Sequence, residues 1–270
     1  MLAVGLVDDL AGTRAAVDLF ATVWATEPGG GPVRAELVWA MAVSGAYVAT
    51  ARSGARVVGA SLGWIGLEER RAVLHSHITA VDPSYRGTGV GLALKRHQRE
   101  WCIERAVGEA RWTFDPLVRR NAWFNLTRLG ATVLRYAIDF YGEIDDSVNR
   151  GDDSDRVVVA WDVHGPKAKA AANDDLAAPD ADAIVAAGGS IVLASDEAGG
   201  PVVTGTPTPG AIALCATPAD IEALRRHDPA GARGWRRALR DVLGGALDLG
   251  WRVVGITRSG FYVLESDGSP

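Results

Sequence analysis

The sequence predicts an α/β (α+β) fold: a mixed, mostly antiparallel central sheet flanked by helices, followed by a smaller C-terminal α/β unit. Strand-like and helix-like patterns alternate along residues 1–163. Three strand-like runs in this part follow one another directly, as in an antiparallel meander. With 48% hydrophobic residues, the chain can bury a core of domain size.

The first half of this region predicts one strand, two helices and the meander. Apolar periodicity places the strand at residues 2–7, the helices at 13–24 and 33–43, and the meander strands at 46–52, 56–66 and 72–81.

The second half predicts a long helix and four further elements. The long helix covers residues 91–107, because apolar side chains recur there at helical spacing. A strand at 110–115 and a helix at 118–130 follow, with Gly130 as the helix C-terminal signal. Strands at 132–140 and 156–163 complete the first domain.

Beyond this domain, residues 164–183 are polar and rich in alanine, which indicates a linker. Residues 184–270 predict the second unit, with strands at 190–195 and 211–216, helices starting near Thr217 and over 234–249, and a hairpin after Trp251. The order helix, Leu-Gly, strand, strand occurs at Leu129 and again at Leu249. The second unit is therefore either a degenerate repeat of the first domain's C-terminal half or an unrelated core.

Composition excludes several classes of protein. A net charge of −5 lacks the basic footprint of a general nucleic-acid binder. No apolar stretch approaches the ~20 residues that cross a bilayer, and the N-terminus lacks a signal-peptide pattern. Two cysteines are too few for a disulfide framework. These features predict a soluble cytoplasmic protein without a nucleic-acid or membrane partner.

The segment "RGTGVG", Arg86–Gly91, carries three glycines between a predicted strand and a helix. Successive amides of such a turn can point at one anion, and the helix dipole adds to them. The spacing is that of neither a P-loop nor a Rossmann turn. The loop is thus either a tight turn or a pyrophosphate site, with Lys95, Arg96 and Arg99 near enough for a further phosphate.

The longer stretch "HITAVDPSYRGTGVGLALKRHQREW" resembles the acyl-CoA-binding motif of the GNAT superfamily of N-acetyltransferases. The matching positions are Val81, Pro83, Tyr85, Arg86, Gly87, Gly89 and Gly91. The predicted element order extends the resemblance over residues 1–163. The segments "TFDPLVRRNAWFNLTRLGA" and "FYGEIDDSVNRGDDSDRVVVAWD" are similar to a group of predicted GNAT acetyltransferases that carry an extra C-terminal part.

The resemblance implies acetyl-CoA, or another acyl-CoA, as co-substrate, and no metal. In the family, the strand before the loop splays from its neighbour and pairs with the pantetheine arm. Carried over, this role falls to Thr79, Ala80 and Val81, and the pyrophosphate site to Arg86, Gly87, Thr88, Gly89, Val90 and Gly91. Asn121 and Asn125 either contact the CoA arm or are helix-surface residues.

The resemblance also suggests catalytic residues. His77 stands where many members have a catalytic glutamate, and strand alternation puts His75 on the same face, towards the acceptor. The two histidines are either a base with a substrate-side neighbour or hydrogen-bonded strand residues; His-x-His alone makes no zinc site. The tyrosine that acts as the general acid in the family aligns with Leu126 here. The proton for the leaving thiolate would then come from Tyr141, Tyr136 or water. Asp115 either receives a cationic amine or caps the turn at Pro116.

The implied activity is N-acyl transfer from CoA to a small-molecule or peptide amine, by direct attack in a ternary complex. The alternative is a GNAT-fold module that binds CoA or another ligand without turnover. The second unit lacks its own arginine-led glycine loop. It either covers the acceptor site, forms the face of a homodimer or simply adds a second core.

Overall fold

The computed structural model describes residues 1–24, 31–142 and 152–266. The chain divides into two compact units. The first comprises Met1–Trp112 with Asp162–Gly165, and the described part of the second comprises residues 113–142, 152–161 and 166–266. Both units contain sheets and helices, so the predicted α/β class is confirmed.

The elements of the first unit match the predicted order. They are β1 (Leu2–Leu6), α1 (Leu10–Trp24), α2 (Ala35–Val43), β2 (Tyr47–Ser53), β3 (Arg56–Glu68), β4 (Arg71–Val81), a short 3₁₀ turn (Pro83–Tyr85), α3 (Val90–Glu104) and β5 (Glu109–Phe114), whose last two residues belong to the second unit. Each predicted boundary lies within a few residues of the observed one.

The sheet of the first unit is mixed. β1, β2, β3 and β4 pair antiparallel in chain order, which confirms the predicted meander. β5 then pairs parallel to β4. A parallel pair needs a crossover connection, and α3 provides it.

Helices cover both faces of this sheet because side chains alternate along each strand. On one face, Phe20 of α1 packs into a buried cluster with Ala60 and Leu62 of β3. On the other face, α3 comes so close to Gly59 that a Cβ there would lie 2.6 Å from Val90 Cγ1. Glycine at this position therefore allows α3, and the loop before it, to sit directly on the sheet.

The second unit begins within β5 and continues through shorter elements. They are α4 (Arg119–Ala122), which runs on as a π-helix (Trp123–Arg128), β6 (Thr132–Ala137), β7 (Arg156–Asp162), α5 (Pro166–Ala172), α6 (Ala181–Ala186), β8 (Ser190–Ser195), β9 (Pro201–Val203), β10 (Ala213–Ala216), α7 (Ile221–His227), α8 (Pro229–Leu239), a second π-helix (Arg240–Gly244), α9 (Gly245–Asp248), β11 (Arg252–Ile256) and β12 (Phe261–Glu265).

The second unit contains a five-stranded sheet in the order β11-β12-β10-β8-β9. Its β8 and β10 are parallel, whereas β11 and β12 form the predicted hairpin. The repeated Leu-Gly signal has a shared local structure. Gly130 and Gly250 both adopt a positive φ, 70° and 85°, at the end of a helix with a π-helical segment, and an antiparallel strand pair follows each.

The units divide elsewhere than the sequence predicts. The second unit already begins at Thr113, instead of after a linker at 164–183, and it takes β6 and most of β7. Residues 166–172 of the expected linker form α5, because Ala168 and Ala171 bury their side chains on one face. Among the described residues, the helices are all too short or too polar to cross a membrane.

Candidate active site

The turn after β4 is held by Asp82. Its carboxylate accepts hydrogen bonds from Ser84 N at 2.9 Å and Ser84 Oγ at 2.5 Å, and it pairs with Arg56 Nη2 at 2.6 Å. The Ser84 hydrogen bonds, together with Arg56, lower the pKa of Asp82. The carboxylate therefore stays charged at neutral pH and fixes the start of the glycine loop.

The glycine loop brings several backbone amides together at the start of α3. Gly87 and Gly89 have φ values of +78° and +92°, a region that residues with a Cβ rarely adopt. Gly89 is the N-cap of α3 and offers no side-chain cap. Within the part of the chain that the structure describes, the amides of Gly87, Gly89, Val90 and Gly91 have no hydrogen-bond acceptor. With the positive end of the α3 dipole behind them, amides in this arrangement can bind an anion.

The edge of β4 that faces β5 is unpaired over its second half. The parallel pairing of β4 with β5 ends at His75 and Arg111. Beyond this point, the described residues include no strand paired to this edge of β4 in the first unit, although Thr79, Ala80 and Val81 still pair with β3 on the other side. Because hydrogen-bonded pairs alternate along an antiparallel ladder, the backbone groups of Thr79 and Val81 point away from β3, and they are among those predicted to pair with a pantetheine arm.

His77 lies in a β-bulge. The β3–β4 register jumps from Leu62↔Ile78 to Gly63↔Ser76, so His77 is the extra residue on β4. Its exposed ring packs against Trp64, with ring centroids 5.0 Å apart, and lies 5.6 Å from the ring of His75. The bulge thus aims His77 outwards while keeping both histidines on one face, as predicted. Bulges often re-aim a side chain in this way beside active sites.

Both histidines are neutral at pH 7. Burial lowers the pKa of His75, and the nearby His77 lowers it further by electrostatic repulsion. Partial burial lowers the pKa of His77 below 6.5. A neutral imidazole at an exposed bulge can accept a proton from an amine. Among the described residues, His75 and His77 belong to no group of three or more ligands that could hold a metal ion.

Asp115 lies in the second unit, where its carboxylate is buried. It pairs with Arg236 Nη1 at 2.9 Å and Arg225 Nη2 at 2.5 Å, and accepts a hydrogen bond from Leu117 N at 3.0 Å. The sequence offers Asp115 for amine binding or for the turn at Pro116. Because its two oxygens are already shared by arginines and an amide, we assign it to the core of the second unit.

The remaining predicted residues also lie in the second unit. Asn121 is exposed and Asn125 is buried, because the helix widens to π geometry after residue 122 and the four-residue spacing no longer defines one face. Tyr141 is exposed, and its hydroxyl lies 3.1 Å from Thr113 Oγ1. Tyr136 is buried and donates to Asp155 Oδ2 at 2.7 Å.

Lys95 does not lie where the sequence analysis expects it. It is 4% exposed, and its ammonium donates to Ser76 Oγ at 2.8 Å and Gln98 Oε1 at 2.9 Å. It is therefore not positioned for a phosphate. Arg99 Nε donates to Val163 O at 2.6 Å. The helical stripe itself contains the missed signal, because Gln98 falls between the apolar positions Leu94 and Trp101 on the buried face of α3.

Replacing Gly89 with valine is expected to weaken CoA binding at least about tenfold, equivalent to about 1.4 kcal/mol. A branched residue cannot hold φ at +92° without strain, so the nest loses its conformation. Gly45→Val is the matched control, since Gly45 has φ +89° and equally open surroundings but lies away from the loop. Isothermal titration with CoA checks the prediction. Equal Kd values for the two variants would disprove this placement of the anion.

Comparison with known proteins finds a family model that matches part of the chain. The family model described as acetyltransferase (GNAT) family matches residues 16–131. No curated protein sequence matches the chain.

Several solved acetyltransferases have a similar structure. The ribosomal-protein-S18-alanine N-acetyltransferase from Escherichia coli is 15% identical, with a TM-score of 0.48 over 60% of this chain and 94% of that chain. Aminoglycoside 6'-acetyltransferase type Ii is also 15% identical, with a TM-score of 0.48 over 60% and 98%. Arabidopsis thaliana Naa50, solved with the bisubstrate analogue CoA-Ac-MVNAL, is 19% identical, with a TM-score of 0.44 over 59% and 97%.

The family match covers the meander, the free edge of β4, the glycine loop and α3, and it ends after Gly130. It includes the motif of Val81, Pro83, Tyr85 and Arg86 and the loop amides that lack an acceptor among the described residues. Residues 16–131 of this chain therefore match the acetyltransferase (GNAT) family model.

Proposed function

We propose that the protein is an N-acyltransferase that transfers an acetyl or other acyl group from CoA to an amine by direct attack in a ternary complex. The observation that carries this proposal is the row of free amides at Gly87, Gly89, Val90 and Gly91, next to the unpaired edge of β4. An anion nest and a free strand edge suit the two halves of CoA, its pyrophosphate and its amide-containing pantetheine arm.

The loop supplies the anion site without lysine side chains. Gly87 and Gly89 are exposed, and Arg86 at the start of the loop is exposed as well. A guanidinium forms charge-assisted hydrogen bonds with phosphate oxygens and adds to the dipole of α3. In this proposal the pyrophosphate of CoA binds at Arg86–Gly91. The backbone of Thr79, Ala80 and Val81 pairs with the amides of the pantetheine arm.

His77 is the base in this proposal. An amine nucleophile must lose a proton, and His77 is neutral, exposed and carried on the strand that pairs with the donor arm. His75 shares its face and borders the acceptor side. In this proposal the acceptor is a small-molecule or peptide amine.

The proton for the leaving thiolate comes from Tyr141 or from water. Tyr141 has an exposed hydroxyl, whereas Tyr136 is bound to Asp155 and burial raises its pKa well above 10.0, which weakens it as an acid. We therefore favour Tyr141 over Tyr136.

Release of free thiol from acetyl-CoA in the presence of a panel of small amines and peptides tests the function. The proposal expects thiol release that depends on an amine and on the protein. CoA binding without turnover on any amine would instead support the alternative, a module that binds CoA without catalysis. If the protein neither binds CoA nor releases thiol, both the acyltransferase and the non-catalytic CoA-binding module are contradicted.

The pH profile of the reaction is expected to report His77. Because its pKa lies below 6.5, the neutral base is lost only as the pH falls through that lower value. The ratio of kcat/KM for wild type to that for His77→Gln cancels titration of the amine itself. This ratio is expected to decline towards low pH with a midpoint below pH 6.5. A decline centred above pH 6.5 would exclude His77 as the base.

A further inference from the structure

Lys95 is a buried cation at the point where two strands separate. The last paired residues of β4 and β5 are His75 and Arg111, and the next residue on each strand is Ser76 and Trp112. The Lys95 ammonium lies between these two, 2.8 Å from Ser76 Oγ and 4.0 Å from the centroid of the Trp112 ring. It therefore occupies the fork of the two strands.

Stability does not explain this arrangement. Burial lowers the pKa of Lys95 to about 7, which shows how strongly the site disfavours the charged form. No carboxylate pairs with Lys95 among the described residues. Gln98 accepts from the ammonium, but its own Nε2 is buried and has no hydrogen-bond partner in the described part of the chain. Groups of this kind cost folding free energy and often mark functional positions.

The choice of lysine is also unusual for this chain. It has 28 basic residues, of which only three are lysines: Lys95, Lys167 and Lys169. A lysine ammonium is a compact donor on a flexible stem, whereas a planar guanidinium is wider. The lysine ammonium fits the fork, between the small hydroxyl of Ser76 on β4 and the face of the Trp112 indole on β5.

We propose that Lys95 is a positioning residue that holds β4 and β5 apart at Ser76 and Trp112 and so keeps the edge of β4 free for the acyl-CoA arm. The inference rests on the proposed function. Ser76 directly precedes the bulged His77, so the contact from Lys95 also fixes the start of the bulge. Lys95 acts through β4 and touches neither the donor nor the acceptor.

Lys95→Met tests the inference, because methionine keeps an unbranched apolar chain and loses the ammonium. The KM for acetyl-CoA and the Kd for CoA are expected to rise at least about tenfold, with kcat changed less than about threefold. The unfolding midpoint is expected to stay at or above the wild-type value, since a costly buried cation is removed. Lys167→Met is the control, as Lys167 is exposed on α5, and it should leave all these values unchanged.

Three outcomes would overturn the inference. An unchanged Kd for CoA, or a fall in kcat at constant KM, would show that Lys95 does not prepare the donor edge. A weaker Kd accompanied by a lower unfolding midpoint would show a structural role instead. If Lys95→Met does not fold, Ser76→Ala decides, because it removes only the β4 contact and should raise the Kd for CoA. Failure of the wild type to bind CoA would refute the proposed function itself, whatever the variants do.

Discussion

Replacing Asp115 with asparagine is expected to lower the free energy of unfolding by about 3–5 kcal/mol, the usual cost of breaking a buried ion pair from one side. Asp115 and Asp152 share the guanidinium groups of Arg225 and Arg236, and all four side chains are less than 10% exposed. Removal of one carboxylate takes away a partner that the two buried guanidinium groups share.

The strength of this cluster follows from its geometry. Arg236 donates Nη1 and Nη2 to the two oxygens of Asp115 at 2.9 Å and 3.1 Å, a bidentate contact, and Nη2 also donates to Asp152 at 2.8 Å. Burial alone would raise the pKa of Asp115, but Arg236 and Arg225 outweigh it and hold this pKa well below its usual value of 3.8. The stabilisation is therefore present at neutral pH and is lost as the pH falls through the depressed pKa.

Urea unfolding at pH 7 checks this prediction. Glu222→Gln is the matched control, since Glu222 pairs with Arg120 at 2.5 Å but the arginine side chain is 54% exposed. An exposed pair of this kind contributes about 0–1 kcal/mol. Similar losses of stability for Asp115→Asn and Glu222→Gln would contradict the account of the buried cluster.

The second large effect is expected at His77. His77→Gln should lower kcat by about 10²–10⁴-fold, the range that general-base catalysis usually contributes. Glutamine keeps a polar side chain of similar length at the bulge but cannot take a proton near neutral pH. The Kd for CoA should not change, because the donor binds to the backbone of β4 and to the loop.

His164→Gln is the control for this substitution. His164 is exposed, belongs to the first unit and lies outside the proposed site. Thiol release measured at saturating acetyl-CoA compares the two variants. Full activity of His77→Gln would remove His77 from the mechanism, even if CoA binding is observed.

The first unit was largely predictable because its signals are local. Alternating residues define β2, β3 and β4, and the turn "SGA" between β2 and β3 sets their antiparallel order. The glycine spacing predicts a turn at this point, and Gly87 and Gly89 adopt positive φ values in it. Sequence also predicted that His75 and His77 share a face, although the bulge that turns His77 outwards leaves no mark in a single sequence.

The second unit was less predictable because long-range contacts decide its structure. Asp115 carried no sign that its partners would be Arg225 and Arg236, more than 100 positions later. The π-helical turn after Ala122, which separates Asn121 from Asn125, likewise has no local signal. The sequence places Lys95 within reach of a phosphate, because sequence alone does not show which side of α3 lies over the fork.

Amide hydrogen exchange with and without CoA tests the central claim most directly. If CoA binds as proposed, the amides of Gly87, Gly89, Val90 and Gly91 exchange more slowly in its presence, together with those of residues 79 and 81 on the free edge of β4. Protection confined to other parts of the chain, or no protection at saturating CoA, would contradict the proposed donor site.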